Sequence, residues 1–318
     1  MQDMPIYGMQ GGHGHACVPN CFSWHSGVQE RFLRKRMSLI IAKSAGVCFG
    51  VKRAMDIAQE AAKKHPKNLY TLGPLIHNPQ AVAFLDKLGV KGKDRMKYIP
   101  KGTVIFRSHG VSLKDLVKAR ERRLRIIDAT CPIVKRAQFY AKYLHRHGYD
   151  LLIVGDAQHP EVEAIRSYIP EKVDVVEDVK EAQGLGPWEK LGIVAQTTQT
   201  FSLFKEVVAV CSERAKELRV YNTICHATTI RQMEAVEIAQ KVDCMIVIGG
   251  YNSGNTQRLA AICRDIQPHT YHIEIARELD PRWFVKREKI GLTAGASTPS
   301  WIIKEVALEV RRLKNKRG

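Results

Sequence analysis

The sequence predicts an α/β protein built from three similar domains with parallel sheets, and three observations lead there. Short apolar runs alternate with helical patterns about nine times along the chain, which is the signature of parallel βαβ units with helices on the sheet faces. Three stretches look like copies of one device, a short apolar strand followed by a cysteine and a basic helix start. They read S-L-I-I-A-K-S-A-G-V-C-F-G-V-K-R-A around Cys48, L-R-I-I-D-A-T-C-P-I-V-K-R-A around Cys131, and L-R-V-Y-N-T-I-C-H-A-T-T-I-R-Q around Cys225. V-K-R-A begins three residues after Cys48 and Cys131, while Arg231 stands six residues after Cys225. The cysteines are 83 and 94 residues apart, so the repeating unit is a small domain and not a solenoid turn.

Taken in order, residues 1–36 differ from the rest: they hold little periodic apolar pattern and contain G-G-H-G-H-A-C-V-P-N-C-F-S-W-H. Cys17, Cys21 and His25 have a spacing that a metal could use, but no second pair follows at zinc-finger distance, so this segment reads as a disordered extension. Met37, followed at once by S-L-I-I-A, is a natural start for the folded part. The strand candidates are Leu39–Ala42, Leu69–Leu72, Thr103–Phe106, Arg125–Ile127, Leu151–Val154, Gly192–Ala195, Arg219–Tyr221, Met245–Ile248 and Lys289–Leu292. Helical stretches such as Val51–Lys64, Val134–His147 and Arg231–Lys241 lie between them. Nine strands over three cysteines give three per domain, with expected domains at 37–130, 131–224 and 225–318. Such sheets place ligands at the C-terminal ends of their strands.

Composition narrows the function. The 318 residues are 45% hydrophobic and 26% charged, an ordinary globular balance. No apolar run approaches the roughly 18–20 residues of a membrane span, and no signal-type apolar core opens the chain, so the cytoplasm is the expected location. Eight cysteines spread through such a chain do not read as a disulfide framework. Cys211, Cys244 and Cys263 sit in apolar runs and read as core residues. The net charge of +18 would suit nucleic acid, a membrane surface, an acidic substrate or an acidic protein. The basic clusters at Arg31–Arg36, Lys91–Lys97, Lys118–Arg125 and Arg311–Arg317 match no nucleic-acid-binding pattern. They are read as solvated surface, with neither a nucleic acid nor a membrane as partner.

The residues just after the strands carry the chemistry. His77 lies in G-P-L-I-H-N-P, His109 in R-S-H-G-V, and His159 with Glu161 in G-D-A-Q-H-P-E-V. Thr197 and Thr198 lie in Q-T-T, Ser253 and Asn255 in G-G-Y-N-S-G-N-T, and Ser297 in T-A-G-A-S-T-P-S. Imidazole, hydroxyl and amide groups beside helix N-termini make a cradle for phosphate, although Ser253 and Ser297 also fit plain helix caps. Glu161 fits either a proton donor beside a metal centre or a first-turn acid favoured by the helix dipole. Three cysteines at strand ends suggest three thiolates at one centre. A closed structural zinc site or an ordinary iron–sulfur cluster takes four cysteine-type ligands, so three leave one metal position open for substrate. A hydrolase with a single zinc held by the three cysteines remains an alternative at this point, as does a charge-driven nucleic-acid-binding module.

Nine motifs from Met37 to Ile303 resemble the LytB family in that family's order: A-G-V-C-F-G-V, G-P-L-I-H-N, R-S-H-G-V, D-A-T-C-P, H-P-E-V, Q-T-T, C-H-A-T-T-I-R-Q, N-S-G-N and T-A-G-A-S. The resemblance implies three α/β domains in a pseudo-threefold around a central [4Fe–4S] cluster held by Cys48, Cys131 and Cys225. It implies that the fourth iron site binds the hydroxyl of (E)-4-hydroxy-3-methylbut-2-enyl diphosphate, which is reductively removed to give isopentenyl and dimethylallyl diphosphates. His77, His109, Ser253, Asn255 and Ser297 would grip the diphosphate, His159 would line the pocket, and Glu161, helped by Thr197, would supply the proton. Electrons would come from a ferredoxin- or flavodoxin-type donor. Gly254 stands where the family often carries a second serine, so one diphosphate contact there would be limited to a backbone N–H. The extension at residues 1–36 is also outside the family's usual pattern.

Overall fold

The computed structural model describes residues 38–65 and 67–315; the readings of residues 1–36, with Cys17, Cys21 and His25, lie outside them. The strands form three four-stranded sheets, and every pairing within them is parallel. The first contains β2 (Leu69–Leu72), β3 (Val90–Lys93), β4 (Thr103–Phe106) and β5 (Arg125–Asp128), in the order β3-β2-β4-β5. The second contains β6 (Asp150–Val154), β7 (Val173–Val176), β8 (Trp188–Ala195) and β9 (Ala215–Val220), in the order β7-β6-β8-β9. The third joins β10 (Cys244–Ile248), β11 (Thr270–Ile273) and β12 (Lys289–Ala294) to β1 (Ser38–Ile41), in the order β11-β10-β12-β1.

Two features differ from the sequence expectation. All nine expected strands form, but β3, β7 and β11 join them, one at the same outer edge of each sheet. In V-K-G-K only Val90 is buried, and in V-D-V-V and T-Y-H-I the two middle residues are partly exposed. An edge strand is covered on fewer sides, so it needs no continuous apolar run and gives little pattern to read. The second difference is β1. It falls in the first expected segment, 37–130, yet it pairs with β12 of the third sheet, Leu39 opposite Ile290. The repeat is therefore closed in a ring: the N-terminal strand supplies the fourth strand that the C-terminal unit lacks.

Three helices bridge consecutive sheets. α1 (Phe49–Lys64) follows β1 but lays Ala54, Ala58 and Ala61 against Leu69, Leu75 and Ile105 of the first sheet's core. α4 (Pro132–Arg146) follows β5 and packs Ala137, Ala141 and Leu144 against Leu151, Ile153 and Val194 in the second. α8 (His226–Ala239) follows β9 and packs Ala235 and Ile238 against Met245 and Val247 in the third. The buried positions recur every three or four residues, which places them on one helix face. The remaining helices are α2 (Pro79–Lys87), α3 (Leu113–Glu121), α5 (Pro160–Arg166), α6 (Val179–Gln183), α7 (Phe201–Ser212), α9 (Gly254–Ile266) and α10 (Ser300–Asn315). Cys211, Cys244 and Cys263 are buried among apolar neighbours, as their sequence context suggests. No helix among the described residues is long and apolar enough to cross a membrane.

Candidate active site

Cys48, Cys131 and Cys225 each sit where the chain passes from one sheet to the next. Each is the N-cap of a bridging helix, α1, α4 or α8. Each backbone N–H donates to a carbonyl two residues past a neighbouring strand: Cys48 to Ala296 (3.1 Å), Cys131 to Ser108 (2.9 Å) and Cys225 to Thr197 (2.8 Å). The three thiols thus stand at the N-terminal ends of three helices. The Val51 N–H also donates to the Cys48 sulfur at 3.5 Å. Gly50 is required by a close approach: a Cβ on it would lie 2.5 Å from Cys131 Sγ and 4.0 Å from Cys48 Sγ. Burial pushes the Cys131 thiol up, and the neighbouring Cys48 and Cys225 thiols add to that rise. No three His, Cys, Asp or Glu groups among the described residues converge closely enough for one metal ion.

Facing the thiols, the threefold repeat sets out two rings of polar groups. His77, His159 and Ser253 each stand five residues past the end of β2, β6 and β10. His109, Thr198 and Ser297 each stand three residues past β4, β8 and β12. Every site residue expected from the sequence lines the same cavity: the three cysteines, His77, His109, His159, Glu161, Thr197, Ser253, Gly254, Asn255 and Ser297. Ser253 is a helix cap that also lines the cavity. Its hydroxyl caps α9, accepting the Thr256 N–H at 3.3 Å. Ser297 donates to the His77 carbonyl at 3.0 Å, tying the third sheet's loop to the first's.

The imidazoles of His77, His109 and His159 form a compact group, with ring centroids 4.3, 5.6 and 5.7 Å apart. Burial holds all three below the usual histidine range, His159 at about 4, with mutual repulsion and the Arg107 guanidinium adding to the effect. Burial thus disfavours the charged form of all three rings. His77 Nε2, His109 Nδ1 and Asn255 Nδ2 are buried without a hydrogen-bond partner, a costly arrangement unless a polar ligand completes it. His159 Nδ1 accepts the Glu161 N–H at 3.1 Å, so in the neutral ring the proton is on Nε2.

Glu161 is 1% exposed. Thr197 holds both its oxygens, the backbone N–H at 2.6 Å from Oε1 and the hydroxyl at 2.8 Å from Oε2. Burial pushes the carboxyl up to about 7, against the lowering effect of Thr197 and Arg258. A first-turn helix acid would ordinarily be solvated; this one is enclosed and holds a proton near neutral pH. Sequence reasoning missed three arginines. Arg107 donates to the Gly110 carbonyl beside His109, Arg258 donates to the Thr198 carbonyl, and Arg231 lines the cavity near Cys48 and Cys225. Each lies inside a motif already noted or one turn beyond it, but its inward direction is invisible in a one-dimensional pattern.

Fold and site together define a class: a parallel α/β protein in which three thiols share one cavity with buried histidine, serine and asparagine side chains and a buried acid. The chain belongs to the LytB protein family, whose profile matches residues 39–311. A 4-hydroxy-3-methylbut-2-enyl diphosphate reductase of Trichlorobacter lovleyi is 54% identical over 279 residues, covering 88% of this chain and 99% of that protein. The enzyme of the same name from Geobacter sulfurreducens is 52% identical over 281 residues, with 88% and 99% covered. A solved (E)-4-hydroxy-3-methyl-but-2-enyl diphosphate reductase, described as the terminal enzyme of the non-mevalonate pathway, superimposes with a TM-score of 0.63 at 45% identity, covering 87% of this chain and 99% of that one. The Plasmodium falciparum reductase gives a TM-score of 0.81 at 27% identity over 87% of this chain and 88% of its own.

Proposed function

We propose that this protein reductively removes the hydroxyl of (E)-4-hydroxy-3-methylbut-2-enyl diphosphate, giving isopentenyl and dimethylallyl diphosphates, with a [4Fe–4S] cluster held by Cys48, Cys131 and Cys225. The supporting observation is the convergence in one cavity of three helix-capping thiols, a buried acid near its titration point and several buried polar atoms that lack partners. The residues fit the cluster: Cys48, Cys131 and Cys225 line one cavity and would hold a group that ordinarily takes four cysteine-type ligands, with one position left for substrate. When bound, the cluster supplies single electrons and a Lewis-acidic iron.

The rest falls to the chain's own side chains. His77, His109, Ser253, Asn255 and Ser297, with the Gly254 N–H, grip the diphosphate, and the buried Asn255 amide finds in it the acceptor it lacks. An anion among the imidazoles raises their pKa values, so binding draws protons into the pocket and strengthens as pH falls. His159 presents its Nε2–H to the substrate. Glu161, held by Thr197, gives its proton to the departing hydroxyl so that it leaves as water. In balance, the C–O bond breaks and two electrons and two protons are consumed to form one C–H bond and one water. The +18 charge of the chain favours an acidic redox protein of the ferredoxin or flavodoxin kind as donor. A reducing compartment, the cytoplasm, suits the six free thiols among the described residues.

The test is cofactor content. Anaerobically purified protein should be brown, with iron and sulfide in equal amounts and turnover with a chemical reductant. Cys48→Ser, Cys131→Ser and Cys225→Ser should each lose iron and activity. Cys244→Ser and Cys263→Ser should keep both, at a packing cost of about 1–3 kcal/mol for a buried hydroxyl. Colourless protein with stoichiometric zinc would overturn the reading.

A further inference from the structure

We infer that Arg231 is a positioning residue for Cys48 and a fixed positive charge that raises the reduction potential of the three-thiol centre; this rests on the cluster reading above. Arg231 is 4% exposed. Its Nε donates to the Ser44 carbonyl at 3.1 Å, Nη2 to Gly46 at 2.9 Å and Nη1 to Ala227 at 3.3 Å. Nearly one turn along α8, Glu234 takes the other polarity of the same loop, accepting the Lys43 N–H at 2.7 Å and the Ser44 N–H at 2.8 Å. The segment leading to Cys48 is thus held by α8 through both its carbonyls and its N–H groups. Gly46 has φ +105, a left-handed turn that other residues adopt at a cost, and its carbonyl is one of those Arg231 holds. Because α8 is capped by Cys225, Arg231 links the placement of two of the three thiols.

The first bridging helix has a lighter version of the same link. Arg53 of α1 donates to the Thr130 carbonyl, one residue before Cys131, at 3.1 Å. Arg136 of α4 is exposed. Among these repeat-related arginines, Arg231 is the one fully enclosed.

The position has an electrostatic consequence. A guanidinium stays protonated even when enclosed, and the charges that act on Arg231 are those of Cys48, Cys225 and Glu234. Both Glu234 oxygens are engaged by backbone N–H groups. An electron added to a centre bounded by Cys48 and Cys225 is attracted by this cation across a poorly screened interior. Net charge is among the determinants of cluster potentials, and its sign here favours the reduced form.

The experiment compares anaerobically loaded wild type with Arg231→Lys, Arg231→Met and Glu234→Gln by iron content, iron release to a chelator, and midpoint potential in an EPR-monitored redox titration. Arg231→Lys keeps the charge and loses the fork: iron release should accelerate roughly 10–100-fold, the usual range for a partner behind a metal ligand, with little change in potential. Arg231→Met should release iron as fast or faster and show a lower potential. Glu234→Gln should speed release without lowering the potential. Failure of Arg231→Met to load, with loading recovered in Arg231→Lys, supports the role in its strongest form. Wild-type iron release in Arg231→Lys together with a wild-type potential in Arg231→Met overturns it. Wild-type protein that takes up no iron refutes the cluster reading itself, a separate result.

Discussion

The loops after β6 and β10 occupy the same place in their sheets and are built for different chemistry. Each leaves its strand, turns, and begins a helix whose cap stands five residues on, His159 for α5 and Ser253 for α9. Two residues further come Glu161 and Asn255, both buried. The neighbouring loop separates their roles. Thr197 holds both oxygens of Glu161, while the residue in the matching place of the third sheet, two past β12, is Ala296, which has no hydroxyl to offer. Burial raises the Glu161 carboxyl to about 7 despite the two bonds from Thr197, and Asn255 keeps an amide nitrogen without a partner. The repeat provides equivalent positions; burial and the adjoining loop give each its function.

The largest effect expected from this contrast is at the acid. Glu161→Gln preserves shape but removes the transferable proton, so kcat should fall roughly 10²–10⁴-fold, with iron content and substrate affinity little changed. An unchanged kcat would make the two loops chemically alike and remove Glu161 from the reaction. Next comes pH. Glu161 is protonated below about 7 and ionised above it, so kcat/KM of the wild type should fall about tenfold per pH unit beyond that point. Thr197→Val deletes a hydrogen bond that favours the carboxylate, so the falling limb should move to higher pH. A limb that moved downward would show that Thr197 does not set the titration of the acid.

Asn255→Ala should act on binding and spare chemistry. A lost hydrogen bond to a charged group is worth about 1.5–3 kcal/mol, so KM should rise roughly 10–100-fold with kcat within a few-fold; a collapse of kcat at constant KM would give the β10 loop a catalytic part. The smallest effect is expected at Gly254. A Cβ there meets His159 Cδ2 at 3.5 Å, an ordinary contact, so Gly254→Ser should fold normally. Its added hydroxyl should lower KM by roughly 2–10-fold, in line with about 0.5–1.5 kcal/mol for one hydrogen bond. A higher KM would mean that the pocket needs the space.

The sequence alone determined the parallel α/β class, nine strands, the three cysteines of the centre and the polar residues of the cavity. Those features are local: central strands are apolar runs, and ligand groups follow their C-terminal ends in short motifs. What tertiary structure decided is non-local. Strands β3, β7 and β11 exist because a neighbour is present to pair with them, and their mixed burial leaves no clear period in the sequence. The pairing of β1 with β12 joins residues about 250 apart, Leu39 and Ile290, and no spacing in the chain announces it. That closure brings Cys48 to the centre from the far end of the sequence. The pKa of Glu161 and the inward turn of Arg231 have the same origin: both depend on which other segments shut out water, a property of the packed molecule and not of either residue's own stretch of chain.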